Sequence, residues 1–93
     1  MNVLKYNPRR RGFPFKTLKF LYEAGESPEW LIREEIGLED WVANKGLIYY
    51  ERSNTIFSNL VRELKNKELI VEDDGNYRLT EEGKKFMKIK LKK

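Results

Sequence analysis

The amino-acid sequence predicts an α+β fold, mostly α, in a single domain. The chain has 93 residues, which is enough for one domain and too few for two. Apolar residues recur at helical spacing in several segments, and two β-prone runs flank a turn near the C-terminal end. Hydrophobic residues make up 40% of the chain, which provides enough apolar surface for a small core. These observations predict a series of helices, then one tight hairpin, then a closing helix.

The chain is expected to begin with a basic N-terminal arm over residues 1–14, followed by the folded domain over residues 15–93. The arm has no apolar periodicity, and two prolines bracket its three consecutive arginines, Arg9, Arg10 and Arg11. Apolar side chains at helical spacing then predict a first helix from Phe15 to Ala24. Gly25 follows at the position where glycine commonly ends a helix.

A second helix is predicted to start at the sequence Ser-Pro-Glu. Ser27 is expected to be its N-cap, because Pro28 and Glu29 suit the first helical turn. The helix is expected to be interrupted at Gly37. Its predicted inner face consists of Trp30, Leu31 and Ile36.

A further short helix is predicted from Glu39 to Lys45, with Trp41 and Val42 facing inward. The apolar run from Leu47 to Tyr50 fits either a short strand or a buried loop. Most aromatic residues fall on inner helical positions, so we expect them in the core, although Tyr49 and Tyr50 are also candidates for a subunit interface. The aromatic set is Phe13, Phe15, Phe20, Tyr22, Trp30, Trp41, Tyr49 and Tyr50.

The most informative segment is a helix predicted from Ser53, its N-cap, to Lys67. One face carries an apolar stripe at helical spacing, formed by Ile56, Phe57, Leu60, Val61 and Leu64. The opposite face carries Thr55, Ser58, Asn59, Arg62 and Asn66. An ordinary exposed face in this chain would be rich in Lys and Glu. The small polar side chains therefore predict a surface that contacts a partner, with a solvated face that binds nothing as the alternative.

A tight hairpin and a last helix complete the predicted fold. The β-prone runs 69–72 and 77–79 are separated by a turn that contains Asp74 and Gly75. Thr80 is expected to cap the last helix, with two glutamates in its first turn. The apolar residues of that helix are Phe86, Met87, Ile89 and Leu91.

Charge is distributed in three blocks along the chain. Residues 1–22 carry six basic and no acidic side chains, whereas residues 23–51 carry eight acidic and two basic ones. Residues 52–93 carry eleven basic and seven acidic side chains. Basic surfaces attract phosphate backbones, so both ends favour a nucleic-acid partner over a merely solvated surface. The acidic block from Glu23 to Glu51 is a candidate docking surface for a basic protein.

Missing residue types exclude several classes of function. The sequence has no cysteine and no histidine, which removes disulfides, thiolate metal sites and the commonest general base. It also has no Gly-rich phosphate loop, so we expect no enzymatic activity, no cofactor and no metal. No apolar run approaches the roughly 20 residues that span a membrane, and no secretory signal is evident, which predicts a cytoplasmic protein without membrane contact. The absence of glutamine beside many Lys and Glu residues is typical of thermophile proteins, although the seven asparagines are not.

The block from Ser53 to Met87 resembles the second half of a winged-helix DNA-binding domain, as found in small PadR- or MarR-like regulators. The matching positions are Leu60, Leu64, Leu69, Ile70, Tyr77, Leu79, Thr80 and Gly83. The resemblance implies a winged helix-turn-helix whose recognition helix is Ser53–Lys67 and whose hairpin is a short two-stranded wing, with an N-terminal arm and a C-terminal helix. The resemblance is weaker over residues 15–45. Three features depart from the family. Glu68 stands where glycine is frequent, and the wing is short and acidic at Glu72, Asp73 and Asp74. The segment between the first helix and the recognition helix is also longer than usual and acidic.

The resemblance implies sequence-specific binding of double-stranded DNA, with the recognition helix in the major groove. That helix would present Asn54, Thr55, Ser58, Asn59 and Arg62 to the bases, where Asn pairs with adenine and Arg with guanine. The cations expected on phosphates are Arg52, Lys65 and Arg78. The arginines of the arm, Arg9, Arg10 and Arg11, are expected in the minor groove, with a basic tail of non-specific attraction as the alternative.

The biological role implied by the resemblance is that of a transcriptional regulator acting as a homodimer. Related regulators dimerise through terminal helices, and a dimer doubles the contacts with a palindromic site. A monomer whose last helix packs inward is the alternative. Two other roles stay open, namely a DNA-binding adaptor in plasmid or viral partition, of the kind found in thermophiles, and a protein-interaction winged helix that uses the acidic block.

Overall fold

The computed structural model describes residues 6–45 and 49–92, with the side chains of residues 49–51 excepted. These residues form five α-helices and a three-stranded antiparallel sheet, which confirms the α+β, mostly helical class. The elements are α1 (Phe13–Ala24), β1 (Glu26–Pro28), α2 (Glu29–Ile36), α3 (Leu38–Asn44), α4 (Tyr49–Asn66), β2 (Ile70–Asp73), β3 (Asn76–Leu79) and α5 (Glu81–Lys90). The sheet order is β1-β3-β2. No helix in the described part of the chain is long and apolar enough to cross a membrane.

Helix α1 begins at Phe13, two residues before the predicted start. Gly12 occupies the N-cap in an extended conformation, and Pro14 lies in the first turn, where a missing backbone N–H costs nothing. The helix ends at Gly25 as predicted. Gly25 adopts a φ of 91°, and its N–H donates to the carbonyl of Leu21.

The short strand β1 was missed in the sequence, and it displaces the predicted helix cap. Ser27 pairs with Tyr77 of β3 and is buried, so it does not cap α2. The cap position is held by Pro28, whose side chain offers no acceptor. A three-residue strand is too short to show an alternating pattern, which is why only the hairpin was predicted.

The predicted inner face of α2 is correct at Ile36 and wrong at Trp30. Ile32 and Ile36 are buried one turn apart, whereas Trp30 is 66% exposed and Leu31 is half-buried. Trp30 lies two residues from Ile32, and two residues correspond to a rotation of about 200° around a helix. Trp41 of α3 is 41% exposed, with its ring edge against that of Phe13 at a centroid distance of 5.4 Å.

Helix α4 lies across the core with its apolar stripe inward, as predicted. Four of the five predicted positions are buried, and the fifth, Ile56, is half-buried. Phe57 packs edge-on against Tyr77 of β3 at 6.0 Å between ring centroids. The buried side chains that surround α4 come from all other helices and the sheet: Phe15, Leu18, Leu21, Ile32, Ile36, Leu38, Val42, Leu69, Ile70, Tyr77, Leu79, Phe86 and Met87.

The two ends of α4 differ from the prediction. The helix is already formed at Tyr49, so Ser53 is a buried residue inside the helix and not its N-cap. The strand or loop predicted over Leu47–Tyr50 is a helix where the structure describes it, and residues 46–48 lie outside the described part. Beyond Asn66, Glu68 adopts a φ of 60°, which is the left-handed conformation that favours the glycine frequent in the resembled family.

The hairpin and the cap of α5 follow the sequence prediction. Asp74 and Gly75 form a two-residue turn with positive φ at both positions, which matches the twist of the flanking strands. Thr80 caps α5, since its hydroxyl accepts from the N–H of Gly83 at 2.9 Å. A Cβ at Gly83 would lie 2.1 Å from the carbonyl oxygen of Leu69, so only glycine fits this crossing of α5 and the sheet.

Candidate functional site

One exposed stripe runs along α4 on the side opposite to the core. Its members are Arg52, Thr55, Asn59, Arg62 and Asn66, and all five are exposed. Their spacing alternates between three and four residues, which keeps them on one face over a length of about 21 Å. We call this stripe the outer face of α4. Ser58, also exposed, lies at its border toward the hairpin.

The two arginines of the outer face have no carboxylate partner in the part of the chain that the structure describes. Arg62 donates from Nη1 to Oδ1 of Asn59 at 3.1 Å, and Arg52 makes no side-chain hydrogen bond or ion pair with the described residues. The nearby carboxylate of Glu63 is engaged elsewhere, because it accepts the hydroxyl of Tyr6. Both positive charges are therefore available to an anionic ligand.

The cations on the hairpin side of α4 are paired. Lys65 lies 3.1 Å from a carboxylate oxygen of Glu72, and Arg78 lies 3.4 Å from one of Asp73. Burial and the carboxylate of Glu72 beside it are the main causes that raise the pKa of Tyr77 to about 12. Lys65 and Arg78 were predicted to hold phosphates, and the structure shows both beside carboxylates.

A cluster centred on Arg33 was missed in the sequence. Its guanidinium lies 2.9 Å from Glu29 and 2.7 Å from Glu39, and its side chain is only 13% exposed. It also donates to Oγ of Ser53 and to Oδ1 of Asn54, each at 2.8 Å. Glu29 and Arg33 are four residues apart, so the sequence could have indicated that pair. The sequence could not indicate the contacts with α4, because they depend on the packing of two helices.

A surface cleft of about 480 Å³ brings together several of the residues predicted to contact DNA. Its lining includes Asn54, Ser58, Arg62 and Lys65 from α4, together with Glu29, Glu72 and Tyr77 from α2 and the sheet. Arg52, Thr55 and Asn59 lie farther around α4 on the outer face. The predicted site thus divides into a cleft of mixed charge beside the hairpin and a cationic outer face, and Arg62 belongs to both.

The described part of the N-terminal arm is docked on the body of the domain. The ring of Tyr6 packs at 5.8 Å from that of Phe86, and its hydroxyl donates to Glu63. Burial, reinforced by this carboxylate, raises the pKa of Tyr6 well above its ordinary value. Arg10 lies 5.4 Å over the ring of Phe15 and donates to the carbonyl of Lys90. Residues 6–12 therefore pack on the domain and do not form a free extended arm, whereas the contact of Arg9, Arg10 and Arg11 with the minor groove stays a prediction.

The arginines of this segment nevertheless stay at the surface. Arg9, Arg10 and Arg11 are exposed, and they have no ion pair within residues 6–45 and 49–92. Two lysines add to the same region: Lys67 lies 4.6 Å over the ring of Tyr6, and Lys90 lies 5.5 Å over the ring of Phe86. Aromatic faces hold these cations in place without neutralising them.

Comparison with known proteins adds no template for this site. No family model, no curated protein and no solved structure matches the chain. Within the described residues, no group of three or more acidic, histidine or cysteine side chains is placed to hold a metal ion. The function of the site is therefore inferred from the charges, contacts and exposure of its own residues.

Proposed function

We propose that this chain is a winged-helix protein that binds double-stranded DNA with the outer face of α4. The observation that carries the proposal is the composition of that face. It combines exposed Asn and Thr side chains with two arginines that have no ion pair among the described residues, and it has no carboxylate among its described members. Such side chains donate to phosphate oxygens, and they donate to or accept from the edges of bases. An ordinary solvated face of this chain would alternate Lys and Glu.

The dimensions of α4 suit the major groove. An α-helix with its side chains is about 10–12 Å wide, and the groove of B-DNA is about 12 Å wide. In this arrangement Arg62 bonds the acceptor edge of guanine, Thr55 and Ser58 contact bases or phosphates, and Arg52 holds the backbone. The wing formed by β2 and β3 stays away from phosphates, because its carboxylates repel them.

The role proposed for this DNA-binding protein is transcriptional regulation, with DNA partition as the alternative. The homodimer stays a prediction. Phe86 and Met87 pack inside their own domain, so only Ile89, which is 52% exposed, remains as an exposed apolar residue on α5. A dimer interface on this helix would therefore be centred on Ile89, and Ile89→Lys would shift the protein to the monomer in sedimentation.

Selection from a random duplex library, followed by fluorescence anisotropy, tests the proposed function. We expect the selected duplex to bind about 10³-fold more tightly than a scrambled duplex of equal length. Arg62→Ala should weaken binding to the selected duplex by about tenfold and binding to the scrambled one much less. Arg62→Lys retains the charge but loses the bidentate contact. Compared with Arg62→Ala, it should recover binding to the scrambled duplex but not the preference for the selected duplex.

A matched control for these variants is Lys85→Ala, which removes one exposed cation from α5. It should leave the preference for the selected duplex unchanged. If the protein enriches no sequence and binds neither duplex at low salt, the DNA-binding proposal is wrong.

A second candidate function is docking of a basic protein segment, favoured by the exposed Trp30. Trp30 is 66% exposed and lines a surface cleft of about 830 Å³ together with Glu34, Glu39 and Asp40. Tryptophan is enriched at protein interfaces and is the best aromatic partner for a cation. Charge reversal by Glu34→Lys would abolish such docking, whereas Arg62→Ala would not affect it.

A further inference from the structure

The guanidinium of Arg33 fixes the side-chain amide of Asn54. Nη1 donates to Oδ1 of Asn54 at 2.8 Å, and Nη2 donates to Oγ of Ser53 at the same distance. The carboxylates of Glu29 and Glu39 accept the other hydrogen bonds of the guanidinium. Four side chains from three helices therefore surround Arg33, and the charged acceptors hold it in one orientation.

The chemistry of the guanidinium dictates which end of the amide faces it. A guanidinium contains only donors, so the oxygen of Asn54 faces Arg33 and the Nδ2 amino group points away. This amino group donates to no acceptor in the described part of the chain, and Asn54 is exposed. Asn54 lines the cleft together with Ser58 and Arg62, and Arg62 belongs to the outer face proposed above to bind DNA.

A side-chain amide whose oxygen is bonded by an arginine recognises a different base from an amide without that bond. A free asparagine recognises adenine because it accepts from the N6 amino group and donates to N7. The oxygen of Asn54 already accepts from a cation through one of its two lone pairs, and a base amino group that approached the other would meet the positive charge of Arg33. Guanine presents two acceptors, N7 and O6, on the same edge. A donor-only side chain therefore matches guanine and opposes adenine.

We propose that Asn54 acts as a hydrogen-bond donor that selects guanine over adenine at one base pair, and that Arg33 is the positioning residue that determines this choice. Asn54 and Arg62 then recognise the same kind of base edge. The sequence alone indicates the opposite preference for Asn54, because the identity of an asparagine does not reveal that its oxygen is occupied. This inference rests on the proposed DNA-binding function.

Position-resolved selection with three variants tests the inference. Asn54→Ala identifies the base pair, because preference at that pair alone should disappear. Asn54→Asp retains an acceptor for Arg33 but replaces the amino group by an oxygen, so the preference for guanine at that pair should fall by about tenfold relative to the other positions. The comparison is made between positions because the added negative charge weakens binding to every sequence. Arg33→Lys retains the cation but provides fewer donors, so guanine and adenine should become nearly equivalent there.

A modified duplex provides the same test with the protein unchanged. Replacing the guanine by 7-deazaguanine removes the N7 acceptor, which should weaken the wild type severalfold and Asn54→Asp much less. The inference is overturned if the wild type selects adenine at the pair identified by Asn54→Ala, or if Asn54→Ala changes no position. Absence of any selected sequence for the wild type instead overturns the proposed function, so the two failures are distinguishable.

Discussion

The hairpin side and the outer side of α4 use their cations in opposite ways. Toward the hairpin and α2, Arg33, Lys65 and Arg78 each contact a carboxylate. On the outer side, Arg52 and Arg62 contact none among the residues described. Both sides carry basic residues, yet only the outer one offers charge that no carboxylate compensates. The position of a phosphate-binding surface therefore depends on which cations are unpaired, and a count of basic residues does not reveal it.

This comparison assigns different tasks to the two groups of cations. A partly buried, fully bonded arginine stabilises the fold, because its removal leaves carboxylates without a partner. An exposed, unpaired arginine contributes little to stability and is available to a ligand. Substitutions on the two sides should therefore affect different measurements.

The largest effect is expected from Arg33→Ala. Loss of the guanidinium leaves Glu29 and Glu39 close together without a cation, and we expect the free energy of unfolding to fall by about 2 kcal/mol. Arg62→Ala, the matched change on the outer side, should alter stability by less than about 0.5 kcal/mol. Urea denaturation of both variants measures these values. Equal losses would show that pairing in the structure does not distinguish the two arginines.

Arg52→Ala and Lys65→Ala should differ in the same way in their affinity for DNA. Arg52 has no ion pair with any described residue, so its loss removes one phosphate contact and should weaken binding to all duplexes severalfold at low salt. Lys65 is held by Glu72, so its loss should change affinity by less than about twofold. Anisotropy titrations with a scrambled duplex report both effects. A larger loss for Lys65→Ala would place the duplex on the hairpin side.

Tyr6→Phe tests the hydrogen bond by which the hydroxyl of Tyr6 engages the carboxylate of Glu63. Near neutral pH the loss of this hydrogen bond should cost about 1 kcal/mol. Because the pKa of Tyr6 is raised in the folded protein, the unfolded chain releases the proton first as the pH rises above 10. The free energy of unfolding of the wild type should therefore decrease above pH 10, and more steeply than that of Tyr6→Phe. Parallel curves from denaturation at several pH values would contradict a protonated, bonded Tyr6.

The smallest effect is expected from Glu72→Gln, which releases Lys65 from its ion pair. The freed ammonium group should raise affinity for DNA about twofold at low salt, and the gain should disappear at high salt. Anisotropy at two salt concentrations is sufficient. Unchanged affinity at both would mean that Lys65 lies outside the reach of the duplex.

The sequence predicted the elements whose signals are local. The apolar stripe of α4 repeats over several turns, the Asp74-Gly75 turn needs two positive φ angles, and Thr80 caps the helix that follows it. Each of these signals depends on residues close in the chain. For the same reason the hairpin and the inward face of α4 were placed correctly.

The sequence did not predict the features that depend on distant partners. Strand β1 has three residues and forms because β3 offers a free edge, so no pattern at Ser27 could reveal it. Tyr6 docks on α5 and on Glu63, which lies 57 residues away in the chain. Arg33 reaches Asn54 across 21 residues. For the candidate site, the sequence therefore predicted the helix but not which of its cationic side chains contact a carboxylate.

The most direct test of the account compares two exposed arginines, Arg62 and Arg78, by the salt dependence of DNA binding. Both were predicted to contact DNA, but Arg78 is paired with Asp73 and Arg62 with no carboxylate among the described residues. For duplex binding measured between about 50 and 200 mM salt, Arg62→Ala should reduce the slope of log K against log salt by about 0.9. Arg78→Ala should leave the slope unchanged. Equal reductions, or a larger one for Arg78→Ala, would contradict the claim that the outer face of α4 holds the DNA.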